Sequence, residues 1–417
     1  MTSADHPLRY APFRWLVSGT TLNLLGSGIA PIALAFAVLD LGGGASELGL
    51  VVGVYALADV VAVLFGGVLG DRLPRTVMLQ GSAAAAAVVQ GVVAASLIGG
   101  WSSIPLLAML GMINGAVSAL GGPSSSALTQ QTVPAALLQR AIAWRRIAQN
   151  IALIIGSGLA GLLVVWVGSG WALAVDALTF AIAGVLFSRV RVALLPAPVA
   201  QAAKGSFWSD AAAGFREVLR HTWLWLLILQ ALLYHLFYGG ASSVLGPIVV
   251  GDSFGRPAWG WALSAMMVGF VIGGLVTLRW RPRRALFIGT CFLALTAAFP
   301  LAIAWSDSLA VILVGAALHG FGLEIFSVGW DFSIQQQVAP DMLARVYSFD
   351  MIGSFIARPV GLVLTGPLAA LFGNQVWLTV VGAVIFVSVL FSLTSRDVRR
   401  LERTVAPAAE PVGLSYP

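Results

Sequence analysis

The sequence predicts an all-α membrane protein in which twelve transmembrane helices form two six-helix bundles, with both termini in the cytoplasm. Three observations support this fold class. Hydrophobic residues make up 59% of the 417-residue chain and charged residues only 10%, whereas about 25% of the residues in a soluble domain are charged. Apolar stretches of about 20 residues, each long enough to cross a hydrocarbon core, recur along the chain. The two halves of the sequence also share a repeat.

The apolar stretches give the predicted spans in order. Each is bounded by glycines, charges or tryptophans, and few charges fall inside. The spans are residues 13–39, 48–70, 76–98, 103–128, 147–167, 171–187, 222–250, 259–278, 285–305, 309–330, 346–371 and 376–393.

The positive charges predict the orientation of these spans. With the N-terminus inside, all of the 23 lysines and arginines except Arg256 and Arg358 fall in the cytoplasm or at its interface, as the positive-inside rule requires. The net charge of +6 is therefore explained by topology. Because the cations are scattered over many short segments, the sequence does not indicate nucleic-acid binding.

An internal repeat predicts the arrangement of the two bundles. A constant shift that aligns Gln130 with Gln335 also aligns Arg140 with Arg345 and Gly156 with Gly361. Each half holds an even number of spans, so both halves start on the same side and the repeat is parallel. The predicted domains are an N-terminal bundle over 1–188, a linker over 189–221, a C-terminal bundle over 222–395 and a tail over 396–417.

The linker contains a predicted amphipathic helix. Apolar residues recur there at a spacing of four, at Phe207, Ala211, Phe215 and Leu219, with charged residues between them. This pattern fits a helix on the inner membrane surface or an ordinary linker helix.

A charged segment interrupts the apolar pattern between spans two and three. Gly67, Asp71, Arg72 and Arg75 have the form G-x-x-x-D-R-x-x-R, and together with twelve spans this motif resembles the major facilitator superfamily. The resemblance covers about residues 9–400. It implies the two-bundle fold and a conformational latch in which Asp71 pairs with Arg75 or with a helix N-terminus of the other half. The alternative is a charge cluster that only sets the topology.

The stretches Arg145–Asn150, Gly156–Gly161 and Asp176–Phe180 resemble the branch with macrolide-efflux proteins and enterobactin-type siderophore exporters. This resemblance implies a proton-driven exporter. Ser157 stands where antiporters of the superfamily usually have proline, and Gly111 stands where many have a buried arginine, so details of proton coupling do not transfer.

Charged residues within spans are the candidate coupling groups, because they are costly in lipid and face the bundle interior. Asp59 and Arg358 are both deep, and the superfamily arrangement places their spans side by side, so we expect them to pair. Glu324 is a candidate proton carrier, and Asp350 lies on the same span as Arg358. Asp176 is close to a predicted span end, where pairing or hydration is expected.

Substrate contact is expected from polar and aromatic residues near the midplane. The candidates are Asn23, Gln90, Asn114, Gln230, Tyr234, His235 and Tyr238. No metal site and no cofactor are expected, since a proton gradient would supply the driving force.

Three functional classes remain at this stage. The first is a secondary exporter of an amphipathic drug or siderophore, with protons and membrane lipid as its other partners and a monomer as its expected state. The second is a proton-coupled uptake symporter for a small nutrient. A membrane enzyme or sensor is the third, but no triad, phosphate loop or catalytic Cys/His set stands out, so no enzyme activity is expected. A multi-pass location in the cell membrane follows from all transporter interpretations.

Overall fold

The structure is a computed structural model that describes residues 6–70, 74–191, 207–280, 282–339 and 342–402. Asp71 and Arg72 of the charged motif lie outside the described residues. So do most of the connection between the halves and the chain after residue 402. Within these ranges the regular structure is helical and no strand occurs.

Eighteen α-helices make up the described chain. They are α1 (Ala11–Asp40), α2 (Ala45–Gly70), α3 (Arg75–Ile98), α4 (Ile104–Ala119), α5 (Gly121–Thr132), α6 (Leu138–Val167), α7 (Ser169–Ser188), α8 (Phe207–Arg220), α9 (Thr222–Gly240), α10 (Gly246–Phe254), α11 (Arg256–Arg279), α12 (Ala285–Leu293), α13 (Ala298–Trp305), α14 (Leu309–Gln337), α15 (Leu343–Phe355), α16 (Arg358–Phe372), α17 (Asn374–Thr394) and α18 (Arg396–Arg400).

Among the described residues, eleven helical segments are long and apolar enough to cross a membrane. Three of these segments each consist of two consecutive helices. A π turn at Ala241–Leu245 links α9 to α10, and a 3-10 turn at Ala294–Ala297 links α12 to α13. The third segment is α15 continued by α16. The fourth predicted span is divided at Leu120 into α4, a shorter apolar helix, and α5. The sequence pattern did not predict these interruptions.

Single glycines make three of the tight connections. Gly168, Gly255 and Gly373 each separate two helices and have φ values of 86°, 84° and 86°. Such positive φ values are easily reached by glycine and are strained for other residues. The glycines therefore let α6 and α7, α10 and α11, and α16 and α17 reverse direction within one residue.

The helices pack as two groups. In the first group, α1 packs against α6 and α7, α2 against α4, and α3 against α7; in the second, α11 and α12 pack against α14, and α9 packs against α16 and α17. The groups meet where α6 packs against α11 and α2 against α16. The predicted linker helix is present as α8 and packs on α15, with the rings of Phe215 and Phe349 5.8 Å apart.

Two faces of the molecule are defined by the ends of the helices. Asp40 at the end of α1 forms an ion pair with Arg256 at the start of α11, so both lie at one end, called here the opposite face. Following the antiparallel helices from this pair places the start of α1 and the end of α17 at the other end, called the terminal face. The first and last described residues therefore share the terminal face.

The two groups are closed together at the opposite face. A Cβ on Gly260 of α11 would collide with the carbonyl oxygen of Ser157 on α6, and one on Gly366 of α16 would collide with the backbone of Ser46 on α2. The backbones approach this closely because glycine has no side chain. The space between the groups extends from these contacts toward the terminal face as far as Arg145 and Arg146.

Candidate functional site

A cavity of about 650 Å³ lies between the two helix groups. It runs from Trp259, one turn after the start of α11, to Arg145 and Arg146, about two turns after the start of α6. Residues from α1 to α7 form most of its wall, and the π turn, α11 and α16 complete it. Its volume is within the range of small-molecule sites, about 300–1,000 Å³.

The cavity wall combines apolar and aromatic surface with a few polar groups. Tyr55, Phe180, Phe187 and Trp259 supply rings. The predicted candidates Asn23, Gln90 and Asn114 line it, together with Gln149 and several serines. Such a wall suits an amphipathic molecule, because the rings pack against its apolar part and the amides orient its polar part.

Asp176 is the acidic side chain in the described part of this wall. It is fully buried, with 0% exposure, and Gln90 Nε2 donates a hydrogen bond of 2.5 Å to its Oδ2. Its Oδ1 has no hydrogen-bond partner among the described residues, and no cation there lies within ion-pair distance. Oδ1 faces Gly26 of α1, where a Cβ would collide with it.

This environment corrects one detail expected for Asp176. The residue lies in the interior of α7, away from the hydrated end that the sequence suggested, and its partner is a neutral amide. A buried carboxylate without a cation is costly in a low-dielectric interior. Protonation or deprotonation of the Asp176 carboxyl therefore strongly changes the free energy of its interaction with its surroundings.

Asp59 and Arg358 lie at the interface where α2 packs against α16. They interact electrostatically, but neither has an ion-pair partner within 4.0 Å among the described residues. The structure therefore brings the two charges together as neighbours without the direct pair expected. Arg358 is the first residue of α16 and lines the cavity, whereas Asp59 is not part of its wall.

Glu324 and Asp350 lie away from the cavity wall. Glu324 on α14 packs against Gly273 of α11 and interacts electrostatically with Arg146. Asp350 accepts a hydrogen bond of 3.1 Å from Trp330 Nε1. Of the five charged candidates, the structure thus places Asp176 and Arg358 in the wall, and the other three are not among the lining residues.

The aromatic residues predicted to line the cavity lie elsewhere. Tyr234 is buried and donates a hydrogen bond of 2.8 Å to His319 Nε2, and His319 Nδ1 donates one of 2.8 Å to the Thr296 carbonyl oxygen. Tyr238 stacks on His319, with ring centroids 4.3 Å apart. His235 donates to the carbonyl oxygen of Ala231 on its own helix. These three residues belong to the packing of the second group.

Gln230 also lies outside this cavity. It lines a separate groove between α9 and α17. Of the charged motif, Gly67 lies in α2 and Arg75 begins α3. Since Asp71 and Arg72 fall outside the described residues, the predicted latch stays a prediction.

The sequence analysis missed several wall residues. Arg145 and Arg146 were assigned only to the cytoplasmic interface, yet both line the cavity, and their position inside a long amphipathic helix is a usable signal. Tyr55 and Trp259 gave no such signal. Within the described residues, no group of three or more His, Cys, Asp or Glu side chains is placed to hold a metal ion.

Comparison with protein families gives a match to the Major Facilitator Superfamily over residues 16–255. Two similar curated proteins cover nearly the whole chain. The multidrug efflux pump Tap of Mycobacterium tuberculosis is 25% identical over 95% of this chain and 97% of its own length. Macrolide efflux protein A of Streptococcus pyogenes is 22% identical over 94% and 97%.

Solved structures share the fold at low sequence identity. The nucleoside transporter NupG superposes with a TM-score of 0.71 at 14% identity, covering 92% of this chain and 98% of NupG. A bacterial homologue of the human lysosomal transporter Spinster, in an inward-facing and unoccupied conformation, gives 0.67 at 15% identity over 96% and 98%. At these identities the similarity concerns the fold alone.

Proposed function

Because this chain belongs to the Major Facilitator Superfamily, we propose that it is a proton-driven exporter of amphipathic small molecules that works by alternating access. It is a multi-pass protein of the cell membrane, with eleven described segments able to span a bilayer. Export is the activity named for its full-length relatives, a multidrug efflux pump and a macrolide efflux protein. We take α4 and α5 together as the twelfth span.

The observation that carries this proposal is the cavity between the helix groups. It is large enough for a drug-sized molecule, its wall is mostly apolar, and it reaches Arg145 and Arg146 near the start of α6 at the terminal side. In one state of its cycle an exporter collects its substrate from the inside of the cell, and a cavity that reaches the cytoplasmic side suits that state.

The distribution of arginines supports this orientation. Among the described residues, the terminal ends of the helices carry many arginines, including Arg14, Arg75, Arg189 and Arg396, whereas Arg256 is the arginine at the opposite face. Short cytoplasmic segments retain positive charge. This distribution supports our assignment of the terminal face to the cytoplasm, with both termini inside, and of this conformation to the inward-open state of the proposed cycle.

Asp176 is the residue to which we assign the transported proton. Its carboxyl lines the cavity, is fully buried and lacks a cation partner among the described residues. Protonation removes the cost of a buried charge. In the inward-open state, loss of the proton creates a negative charge beside the substrate space, and in the outward-open state a proton from outside neutralises it again, so that the proton gradient drives the cycle.

The test is compound accumulation in inside-out membrane vesicles that are energised to acidify their interior. A panel of macrolides, tetracyclines and siderophores is assayed with wild-type protein, Asp176→Asn and, as a matched control, Asp350→Asn. We expect accumulation that a protonophore abolishes, that Asp176→Asn reduces at least tenfold, and that Asp350→Asn retains because its hydrogen bond from Trp330 does not require a charge.

Three results would change the proposal. Accumulation that resists the protonophore contradicts proton coupling. A substrate that moves only from the outside of cells to the inside indicates an uptake symporter. Full proton-driven export by Asp176→Asn removes the assignment of the proton to this residue while leaving export itself intact.

A further inference from the structure

A second recess lies on the outer surface of the second group, away from the transport cavity. It is a groove of about 450 Å³ between α9 and α17. Its walls are leucines, valines and a phenylalanine, and Leu229, Val387 and Phe391 on its rim are exposed by 45%, 60% and 63%. Because both helices span the membrane, the groove faces the lipid.

One polar group inside this groove is unsatisfied. Gln230 is only 3% exposed, and its Nε2 has no hydrogen-bond acceptor among the described residues. The hydrocarbon region holds no water that could accept this bond, so an unpaired amide donor there is costly. The nearby hydroxyls of Ser388 and Ser392 donate to backbone oxygens of their own helix. The groove therefore calls for a ligand that is apolar and also carries a hydrogen-bond acceptor.

The depth of Gln230 identifies the kind of acceptor. The span from Thr222 to Phe254 has 33 residues, or about 50 Å at about 1.5 Å per residue, so about 10 Å extends beyond each side of a hydrocarbon core of about 30 Å. Gln230 follows Thr222 by about 12 Å along the helix. It therefore lies just inside the border of the hydrocarbon, the level of the ester carbonyls of phospholipids in the leaflet at the terminal face.

Positive charge surrounds the terminal end of the groove. The last wall residue, Ser392, is followed by α18, which packs against both α9 and α17. Val398 anchors α18 and is 0% exposed, while Arg396, Arg399 and Arg400 are exposed. The acids nearby are Asp397 on the same helix, Glu217, which pairs with Arg220, and Glu402, which pairs with Arg284. The arginines outnumber them, so this rim attracts an anionic headgroup.

From these observations we propose that the groove binds an anionic phospholipid of the cytoplasmic leaflet. One acyl chain lies along the leucines and valines, an ester carbonyl accepts the hydrogen bond from Gln230, and the phosphate meets the arginines of α18. A transported amphiphile is the competing occupant. The phospholipid is favoured because it matches the apolar wall, the amide and the basic rim at one depth of the membrane.

The experiment is native mass spectrometry of the purified, delipidated full-length transporter with added lipids. Phosphatidylglycerol is compared with phosphatidylcholine of the same chains, and ester-linked with ether-linked phosphatidylglycerol. The variants are Arg396→Gln/Arg399→Gln/Arg400→Gln for the rim, Gln230→Leu for the amide, and Leu229→Trp and, separately, Val387→Trp to fill the groove. The control Arg14→Gln/Arg189→Gln/Arg191→Gln removes three exposed arginines from the same face of the first group.

We expect wild-type protein to bind phosphatidylglycerol about fivefold or more tightly than phosphatidylcholine, since each arginine near the headgroup adds attraction. The rim variant loses this preference and the control keeps it. The ester lipid binds about two- to tenfold more tightly than the ether lipid, a difference of one hydrogen bond, and Gln230→Leu removes the difference. The groove-filling variants lose both lipids while remaining monodisperse.

Equal binding of the two headgroups, or a preference that survives in the rim variant, overturns the proposal. Unchanged lipid binding in both tryptophan variants does the same. If those variants instead keep the lipid but lose binding of an exported compound, the groove belongs to the transported amphiphile and the lipid assignment is wrong.

Discussion

A bidentate ion pair joins the two helix groups at the opposite face. It is formed by Asp40 at the end of α1 and Arg256 at the start of α11. Arg256 Nη1 lies 3.1 Å from Asp40 Oδ2, and Nη2 contacts Oδ1. Ser169 donates a hydrogen bond of 2.9 Å to the same carboxylate, and the guanidinium lies over the ring of Phe36. This cluster stabilises the closed opposite face, and it must separate when that face opens.

Breaking this pair is expected to populate the outward-open state. The side chains are 36% and 41% exposed, so the pair contributes about 1 kcal/mol or less and its loss shifts the population about two- to fivefold. The effect of Asp40→Asn or Arg256→Gln on the separation of the two helix groups is measured as the distance between two spin labels. The labels are attached at Leu41→Cys and Ser253→Cys, in a background where the lone cysteine, Cys291, is replaced by serine.

Two further variants test the same interpretation. Exchanging the charges in Asp40→Arg/Arg256→Asp should restore the closed distances, and Asp252→Asn, on neighbouring α10, should leave them unchanged. Distance distributions that do not respond to Asp40→Asn would show that the pair plays no part in closure.

The close approach of α6 and α11 is expected to tolerate no side chain at Gly260. A Cβ there meets the carbonyl oxygen of Ser157, so Gly260→Ala separates the groups at a cost of about 1–3 kcal/mol. Thermal unfolding in detergent should show a lower midpoint. Gly81→Ala is the control, because no atom lies near its added Cβ and alanine favours the helix by up to about 1 kcal/mol. Equal midpoints for the two variants contradict the packing argument.

Asp59 and Arg358 are expected to depend on each other. Each compensates part of the buried charge of the other across α2 and α16. Asp59→Asn or Arg358→Gln alone therefore leaves the other charge without this compensation. Breaking a direct buried ion pair costs about 3–5 kcal/mol, which is the upper bound for these two neighbours. We expect about a tenfold loss of export in each single variant and partial recovery in the double variant. Vesicle transport corrected for protein amount is the measurement. Single variants with wild-type export would show that the two charges have no role.

The hydrogen-bonded chain Tyr234, His319 and Thr296 is expected to stabilise the second group without affecting transport. Tyr234→Phe leaves His319 Nε2 buried without its donor, at a cost of about 1–3 kcal/mol. Tyr238→Phe removes a weak contact to Met266 Sδ at 3.4 Å and an interaction with the Ser242 hydroxyl, but leaves no buried imidazole unpaired, so it should matter less. Unfolding midpoints test the difference. A Tyr234→Phe protein that is stable but inactive would place this chain in the mechanism.

The sequence predicted the helical membrane fold because apolar length and arginine placement report directly on the bilayer. It predicted Asn23, Gln90 and Asn114 as wall residues because polar groups in a span avoid lipid. It could not distinguish them from Gln230 and Tyr234, since α9 is apolar on all sides and periodicity then says little about which side faces the cavity.

The hidden environment of Asp176 shows a second limit. Span boundaries carry an error of several residues, which is enough to exchange a helix end for a helix interior. Its partner Gln90 lies on another helix, and only the packing of α3 against α7 reveals the pair. Residue spacing alone also did not predict that Asp59 and Arg358 are neighbours. Only the resemblance to the superfamily suggested that their spans lie side by side.

Three interruptions of the helices lie at the cavity wall, whereas the 3-10 turn at Ala294–Ala297 does not line it. Gly121 follows the break between α4 and α5, Ser242 and Ser243 lie in the π turn, and Arg358 follows the break between α15 and α16. Backbone that lacks a continuous hydrogen-bond ladder bends more easily than a regular helix. The cavity wall therefore contains three points at which a helix can bend. Bending there changes the width of the cavity without unfolding a transmembrane span. A cavity whose width can change in this way allows one protein to accommodate molecules of different sizes.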